Sequence, residues 1–321
     1  MANEFGTINN ASKIAVANLA DGTDGQLITW DAAGVAAVVP TGTATHVLTS
    51  NGAGAAPTFQ APSGGTSIYP PGFRYGCALT NGTDATNDIN IAVGNWIDST
   101  NLVNIDLAGA LVKQLDAVWA VGTNAGMRAS GAAIANTTYH IFLIKRPDTG
   151  AVDIAADTSA TGANITANTD AAYTKWRRIG SIIRLAGAIV PFVQDDKSFT
   201  LLVPSGYISA SNPGTAAITH TCAVPVGIRV QVLLSVVGRS SLEAHNPVGI
   251  FVSDLSITDS TPSQQICSVV VYTQDNTALQ LGTSVVTCFT NTSGQIRIRL
   301  QVSGATTYYY LNTLGWVDTY L

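Results

Sequence analysis

The sequence predicts a mainly β protein, with an extended N-terminal arm of short repeats followed by two β-sandwich or jelly-roll-like domains. Three observations carry that expectation. First, only 11% of the 321 residues are charged, against about 25% in an ordinary soluble domain. Glutamate occurs only as Glu4 and Glu243. Thr, Val, Ile and Gly are abundant, so residues of solvated helix faces are scarce while those of pleated strands and turns are plentiful. Second, the last third contains several runs in which apolar and polar residues alternate. Third, residues 21–60 carry a weak internal repeat with a period of 20.

The arm is expected over residues 1–65. Between Ala32 and Phe73 there is no Asp, Glu, Lys or Arg. Such a segment buries too little apolar surface to offset its own ordering entropy, so contacts outside the single chain are expected to hold it. The repeat sets Gly22 against Gly42, Thr23 against Thr43, Thr29 against Thr49, Ala33 against Ala53, Gly34 against Gly54 and Ala36 against Ala56. Each copy reads as a short strand followed by a turn, at Asp31–Gly34 and at Asn51–Gly54, where Asn and Gly accept the positive φ that tight turns require. Two copies offer too few apolar residues to close a core in one chain, whereas three chains around an axis can close one. Ala61-Pro62-Ser63-Gly64-Gly65 reads as a linker.

A middle β domain is expected over 66–200. Asn81-Gly82 is a turn signal. Tyr139–Ile144 and Ala151–Ile154 flank Arg146–Gly150 as a hairpin with a longer loop, and Lys175–Ile183 reads as a further strand. One segment stays open between helix and strand. Leu107, Leu111, Leu115 and Trp119 recur every four residues, but Val118, Ala120 and Val121 continue into Gly122 as a strand would.

The last domain, 201–321, is expected to be a β-sandwich. Ile228, Val230, Val232, Leu234 and Val236 alternate with polar residues, as do Ile296, Ile298, Leu300 and Val302, so each run turns one apolar face inward. Further strands are expected at Val248–Leu255, Ile266–Tyr272 and Val285–Phe289, with Ser303-Gly304-Ala305 turning the chain into Thr306–Leu311.

Several functions are disfavoured. A net charge of −5 argues against nucleic-acid binding, which relies on clustered Lys and Arg. Neither a membrane-spanning run nor an N-terminal signal peptide is read, so the chain is expected to stay soluble after synthesis in the cytoplasm, with no membrane insertion. Cys77, Cys222, Cys267 and Cys288 show no metal or redox spacing and are expected as reduced thiols; adjacent strands could bring Cys267 and Cys288 together without making them a disulfide. Polysaccharide cleavage would need two placed carboxylates, and Asp195-Asp196, the adjacent acidic pair, reads as a turn. His46, His140, His220 and His245 are dispersed, with no helical metal-ligand spacing. Glu243-Ala244-His245 reads as a surface loop and Asp21–Gly25 as a capped turn with too few oxygen ligands for calcium. No catalytic residue, cofactor or metal is expected.

What remains is recognition by aromatic rings, whose flat apolar faces and polar tips suit sugars. Tyr308, Tyr309 and Tyr310 must expose at least one ring if they form a half-buried strand. Tyr207, in the loop-like Pro204-Ser205-Gly206-Tyr207, is the fourth candidate for receptor binding.

Gly25–Trp30 and Leu48–Phe59 resemble the arms of tailed-bacteriophage fibre proteins. Asn81–Ile89, Lys113–Asp116, Trp119–Thr123, Trp176–Ser181 and the closing Leu314–Asp318 are similar to segments of that family in the same order. The resemblance implies a homotrimeric structural virion protein, assembled in the bacterial cytoplasm and located on the tail. Its partners would be two further copies of itself, tail-tip or baseplate proteins at the N-terminal arm, and a host-surface glycan or protein at the C-terminal domain. A head-fibre, baseplate or capsid-decoration subunit without a receptor is the alternative, and a depolymerase spike a third.

Overall fold

A computed structural model describes residues 23–60, 69–241, 247–263, 265–272 and 279–319. The chain divides into two compact units, Met1–Gly65 and Thr66–Leu321. Both are built from strands, and the described residues include a single helical turn. No helix among them is long and apolar enough to cross a membrane.

In the first unit, β1 (Leu27–Trp30) and β2 (Ala36–Val39) form one antiparallel hairpin, and β3 (Val47–Thr49) and β4 (Thr58–Gln60) a second. The turns follow from their polar residues. The Asp31 carboxylate accepts the N–H groups of Ala33 and Val35, each at 2.9 Å, while Gly34 adopts φ +77°. At the equivalent place Asn51 donates to the Ala56 carbonyl at 2.7 Å and accepts from the Gln60 amide at 2.8 Å. Packing is thin, because Val39 is the one buried side chain among residues 23–60.

The second unit begins with β5 (Arg74–Gly76), β6 (Leu79–Asn81), β7 (Asp88–Ile91), β8 (Gly94–Ile97), β9 (Asn104–Leu107), β10 (Leu111–Val118), β11 (Ala125–Arg128), β12 (Thr138–Lys145) and β13 (Val152–Asp157). The helical turn α1 (Ile165–Asn168) precedes β14 (Lys175–Leu185), β15 (Ala188–Ile189), β16 (Phe192–Asp195), β17 (Ser198–Ser211) and β18 (Ile218–Thr221). The chain closes with β19 (Gln231–Ser240), β20 (Val248–Ser253), β21 (Val269–Val271), β22 (Gln280–Phe289), β23 (Gln295–Leu300) and β24 (Tyr308–Val317).

An eight-stranded sheet runs β15-β14-β12-β13-β11-β10-β7-β6, with parallel pairing of β10 with β11 and of β11 with β13. A three-stranded sheet β5-β8-β9, a five-stranded sheet β16-β17-β24-β19-β22 and a four-stranded sheet β18-β23-β20-β21 complete the unit. The β12 run Thr-Tyr-His-Ile-Phe-Leu-Ile is buried throughout, which marks a central strand covered on both faces. Tyr139, Ile141 and Leu143 enter the main core. Phe142 and Ile144 enter a smaller one with Ile165 and Tyr173 on the opposite face.

The segment left open between helix and strand forms β9 and β10. Tertiary pairing decides the matter, since β10 lies between β7 and β11 and so satisfies its backbone on both sides. The alternating runs of the last third behave as strands: every second residue of β19 and β23 is buried. Val232, Leu234 and Val236 from the five-stranded sheet share one core with Ile250, Val252, Ile298 and Leu300 from the four-stranded sheet. That core continues without a break from Cys77 to Trp316. Residue 200, at the expected boundary between middle and last domains, lies inside β17.

Among the described residues of this unit, two ion pairs are buried. Lys113, wholly buried, lies 3.1 Å from Asp153 and donates to the carbonyls of Ala120 and Gly122 at 2.8 and 3.1 Å. Burial pulls the Lys113 ammonium below its usual pKa, and Asp153 opposes that shift. Arg178 grips Asp318 through both terminal nitrogens, the longer bond being 3.0 Å, and so ties the end of the chain to β14.

Candidate recognition surfaces

Strand geometry separates the four tyrosines. On β24, Tyr308 and Tyr310 are half-buried on one face, while Tyr309 points the opposite way and is wholly enclosed. The Tyr309 hydroxyl meets His220 Nε2 at 2.5 Å across the core, and burial pushes that hydroxyl up to about 12. A side chain with no exposed surface cannot touch a receptor, so in this chain Tyr309 is a core residue. Tyr207 is 63% exposed and stacks on Tyr310 with ring centroids 6.2 Å apart. Tyr308 lies beneath the Arg239 guanidinium at 5.9 Å. Tyr207 and the half-buried Tyr310 thus form one aromatic pair on the five-stranded sheet, and Leu202 and Val203 of β17 are exposed as well.

Among the titratable residues singled out in the sequence, Asp196, His140 and His220 have side-chain partners. Asp196 sits in the two-residue turn between β16 and β17 at φ +50° and pairs with Arg74 at 3.1 Å. His140 is fully buried with Nδ1 2.8 Å from the Ser181 hydroxyl. Burial first, and the nearby Arg178 second, push its pKa down to about 4. His220 is also lowered by burial. Asp21, Gly22, Glu243, His245 and the 61–65 linker lie outside the described residues. All four cysteines are free thiols. Burial raises Cys77, Cys222 and Cys288 to about 12, and Cys222 is the thiol that senses Cys288 electrostatically. Among the described residues no three His, Cys, Asp or Glu side chains converge on a metal-sized site.

One feature was not legible as a site. A cavity of about 540 Å³ opens beside β14, with Trp176 in its wall. Trp176 reads in the sequence only as one member of a strand. The signal that it lines a cavity lies in four separate loops that meet only in the folded chain.

Comparison with known proteins found no family model that matches the chain and no matching curated protein.

Proposed function

We propose that this chain is a structural, non-catalytic virion protein: a homotrimeric tailed-phage fibre whose N-terminal arm docks on the tail and whose distal part meets the host surface. The observation that carries the reading is the unsatisfied apolar surface of the first unit. Trp30 is 67% exposed, and Leu27, Ile28, Val38, Val47 and Leu48 are exposed as well. Isolated two-stranded hairpins are marginal in water, and large exposed apolar patches mark contact surfaces. Symmetric copies supply the missing cover at the lowest cost in new sequence, since each copy brings the same hairpins to a common axis.

In this reading the five- and four-stranded sheets make a sandwich that spans the last domain, 201–321, joined by β16 and the start of β17 from the middle domain, and its loops and the Tyr207–Tyr310 pair face outward. Leu281 and Val285 on the edge strand β22 are exposed as well, which suits a second subunit contact. The phage assignment itself rests on the sequence resemblance.

Native mass spectrometry of the purified full chain tests the assembly. A trimer that persists on dilution is expected. A monomer at all concentrations would overturn the reading, and a dimer would replace its symmetry. Labelling the protein on intact particles then separates tail from head.

A further inference from the structure

Where β14 meets the loops that lead into β19 and β23, the cavity of about 540 Å³ falls in the range of ~300–1,000 Å³ usual for small-molecule sites. Its floor is Phe142 and Ile228, both buried. One wall is the half-buried indole of Trp176, whose N–H donates to the Thr161 carbonyl at 3.2 Å. Gly162, at φ +73°, lies so close that a β-carbon there would stand 2.8 Å from the indole nitrogen. The ring is therefore fixed in orientation. Around the mouth stand Ser99, Thr161 and Thr292, all exposed.

The rim is rigid for local reasons. Asp98 accepts from Thr100, Leu102 and Val103 and so shapes the turn carrying Ser99, whose own N–H donates to the Trp176 carbonyl at 2.9 Å. Asp157 accepts from Ser159 and Asn164 and shapes the turn carrying Thr161. Asn291 accepts from Ser293 and Gln295 and shapes the turn carrying Thr292, whose carbonyl receives the Gly227 N–H at 2.7 Å. Each hydroxyl is thus presented from a loop already ordered without a ligand, which lowers the entropy cost of binding.

Charge then selects the ligand class. Pairing along β12 and β14 sets Arg178 opposite Phe142 and Trp176 opposite Ile144, and Arg177, which also lines the cavity, donates to the Asp98 carbonyl at 3.5 Å. Arg178 is neutralised by Asp318, and Arg229, at the rim, by Asp254. A flat apolar ring, a ring of hydroxyls and three guanidiniums already engaged by protein oxygens, those of Arg178 and Arg229 by carboxylates and that of Arg177 by a carbonyl, match a neutral sugar better than an anion.

We propose that this cleft binds a neutral hexopyranose unit, its ring stacked on Trp176 and its hydroxyls bonded to Ser99, Thr161 and Thr292. The inference deepens the attachment reading and rests on it only for the source of the sugar, a host-surface glycan. It also moves the sugar contact from the tyrosine patch to the junction beside β14.

The test uses the full-length assembled protein labelled with 5-fluorotryptophan, whose five tryptophans give separate fluorine resonances. The Trp176 signal is assigned by its loss in Trp176→Phe. Methyl glucoside, methyl mannoside, methyl galactoside and N-acetylglucosamine are titrated singly, with glucose 6-phosphate and inorganic phosphate as charged controls. At least one neutral sugar should move the Trp176 resonance saturably in the millimolar range, and Thr292→Trp, which fills the mouth, should weaken it at least tenfold. Should Trp176→Phe fail to fold, loss of sugar binding in Thr292→Trp, measured by calorimetry, decides the matter. No saturable shift with any neutral sugar, or an equal response to inorganic phosphate, overturns the proposal without touching the attachment reading. Saturable binding at Trp176 combined with unchanged host adsorption by Thr292→Trp supports the cleft and overturns attachment through it.

Discussion

The hairpins of residues 27–60 and the sheets of residues 69–319 use the same residue classes and the same turn chemistry, but they differ in where their apolar side chains end. In the hairpins, Leu27, Ile28, Trp30 and Val47 remain in water. In the sheets, alternate residues of β19, β23 and β24 are buried, and one core runs from Cys77 to Trp316. Strand formation therefore does not by itself make a stable unit; a second covering layer does. The larger unit supplies its own second layer from a distant part of the chain, whereas the hairpins present one layer and await another. Four expected outcomes break or sharpen that contrast.

The largest effect belongs to the buried ion pairs. Asp153→Ala leaves Lys113 charged and enclosed, with only the carbonyls of Ala120 and Gly122 for partners. Removing one partner of such a pair costs about 3–5 kcal/mol. Chemical denaturation should show that loss in the second unit while the protease sensitivity of the hairpins stays as it was. The double replacement Lys113→Met with Asp153→Leu should recover most of it, because no charge is then stranded. A loss below about 1 kcal/mol for Asp153→Ala would show that water reaches Lys113 and that the unit is less closed than described.

Acid is expected to have the next effect, through His140. This group is held neutral in the folded chain with a pKa of about 4, whereas an unfolded histidine takes up its proton near ~6.5. The unfolded state therefore binds more protons at mildly acidic pH. Stability is complete above about pH 6.5 and falls as the pH drops towards 4, by about 3 kcal/mol in the limit. His140→Gln should flatten that slope between pH 6.5 and 4 in urea melts taken at each pH. An unchanged slope would assign the acid sensitivity to another group.

How far the sequence reveals such features depends on how local their signals are. The alternation in Ile296-Arg297-Ile298-Arg299-Leu300 is a local signal and yields β23 directly. The turns at Asp31–Gly34 and Asn51–Gly54 are local too. The run Leu107, Leu111, Leu115 and Trp119 misleads because residues four apart share a face in a strand as well as in a helix. Lys113 is the discriminating residue, since on β10 it falls on the same face as Leu115, yet a lysine is expected inside only if its partner is known. That partner, Asp153, is 40 positions away by number. The closing Leu314–Asp318 motif is similar: Trp316 stacks on Phe199 at 5.1 Å and Asp318 accepts from Arg178, so the segment closes the fold. Tyr309 and Tyr310 are adjacent in sequence, and nothing local says which one faces the core. Trp176 acquires its cavity from four loops at once.

A smaller change is expected within the hairpins themselves. Asp31→Ala removes the two bonds that its carboxylate accepts from the Ala33 and Val35 N–H groups at the first turn, each worth about 1 kcal/mol where solvent is excluded and less in the open. The mutant should lose at most about 1 kcal/mol in hairpin stability, read by faster amide hydrogen exchange at Ala33 and Val35. Slower exchange at those amides would show that Asp31 does not hold the turn.

The smallest effect on the second unit, and the most telling for the contrast, is expected from Trp30→Ser. An exposed side chain outside the core changes the stability of an isolated unit by no more than about 0.5 kcal/mol, and Trp30 has two thirds of its surface in water. If nothing covered that indole, its loss would be close to silent in every assay and would improve solubility. If copies of the chain cover it, each assembly loses the ring once per subunit, at about 25 cal/mol for every Å² of apolar surface that had been buried. Denaturation of the second unit should then be unchanged, while native mass spectrometry shows the oligomer dissociating at higher protein concentration than for the unmodified chain. A Trp30→Ser protein with unaltered assembly would place the subunit contacts elsewhere, with the exposed Leu281 and Val285 of β22 as the next surface to change. An unfolded second unit would mean that the two regions are not independent, and the contrast between them would fail.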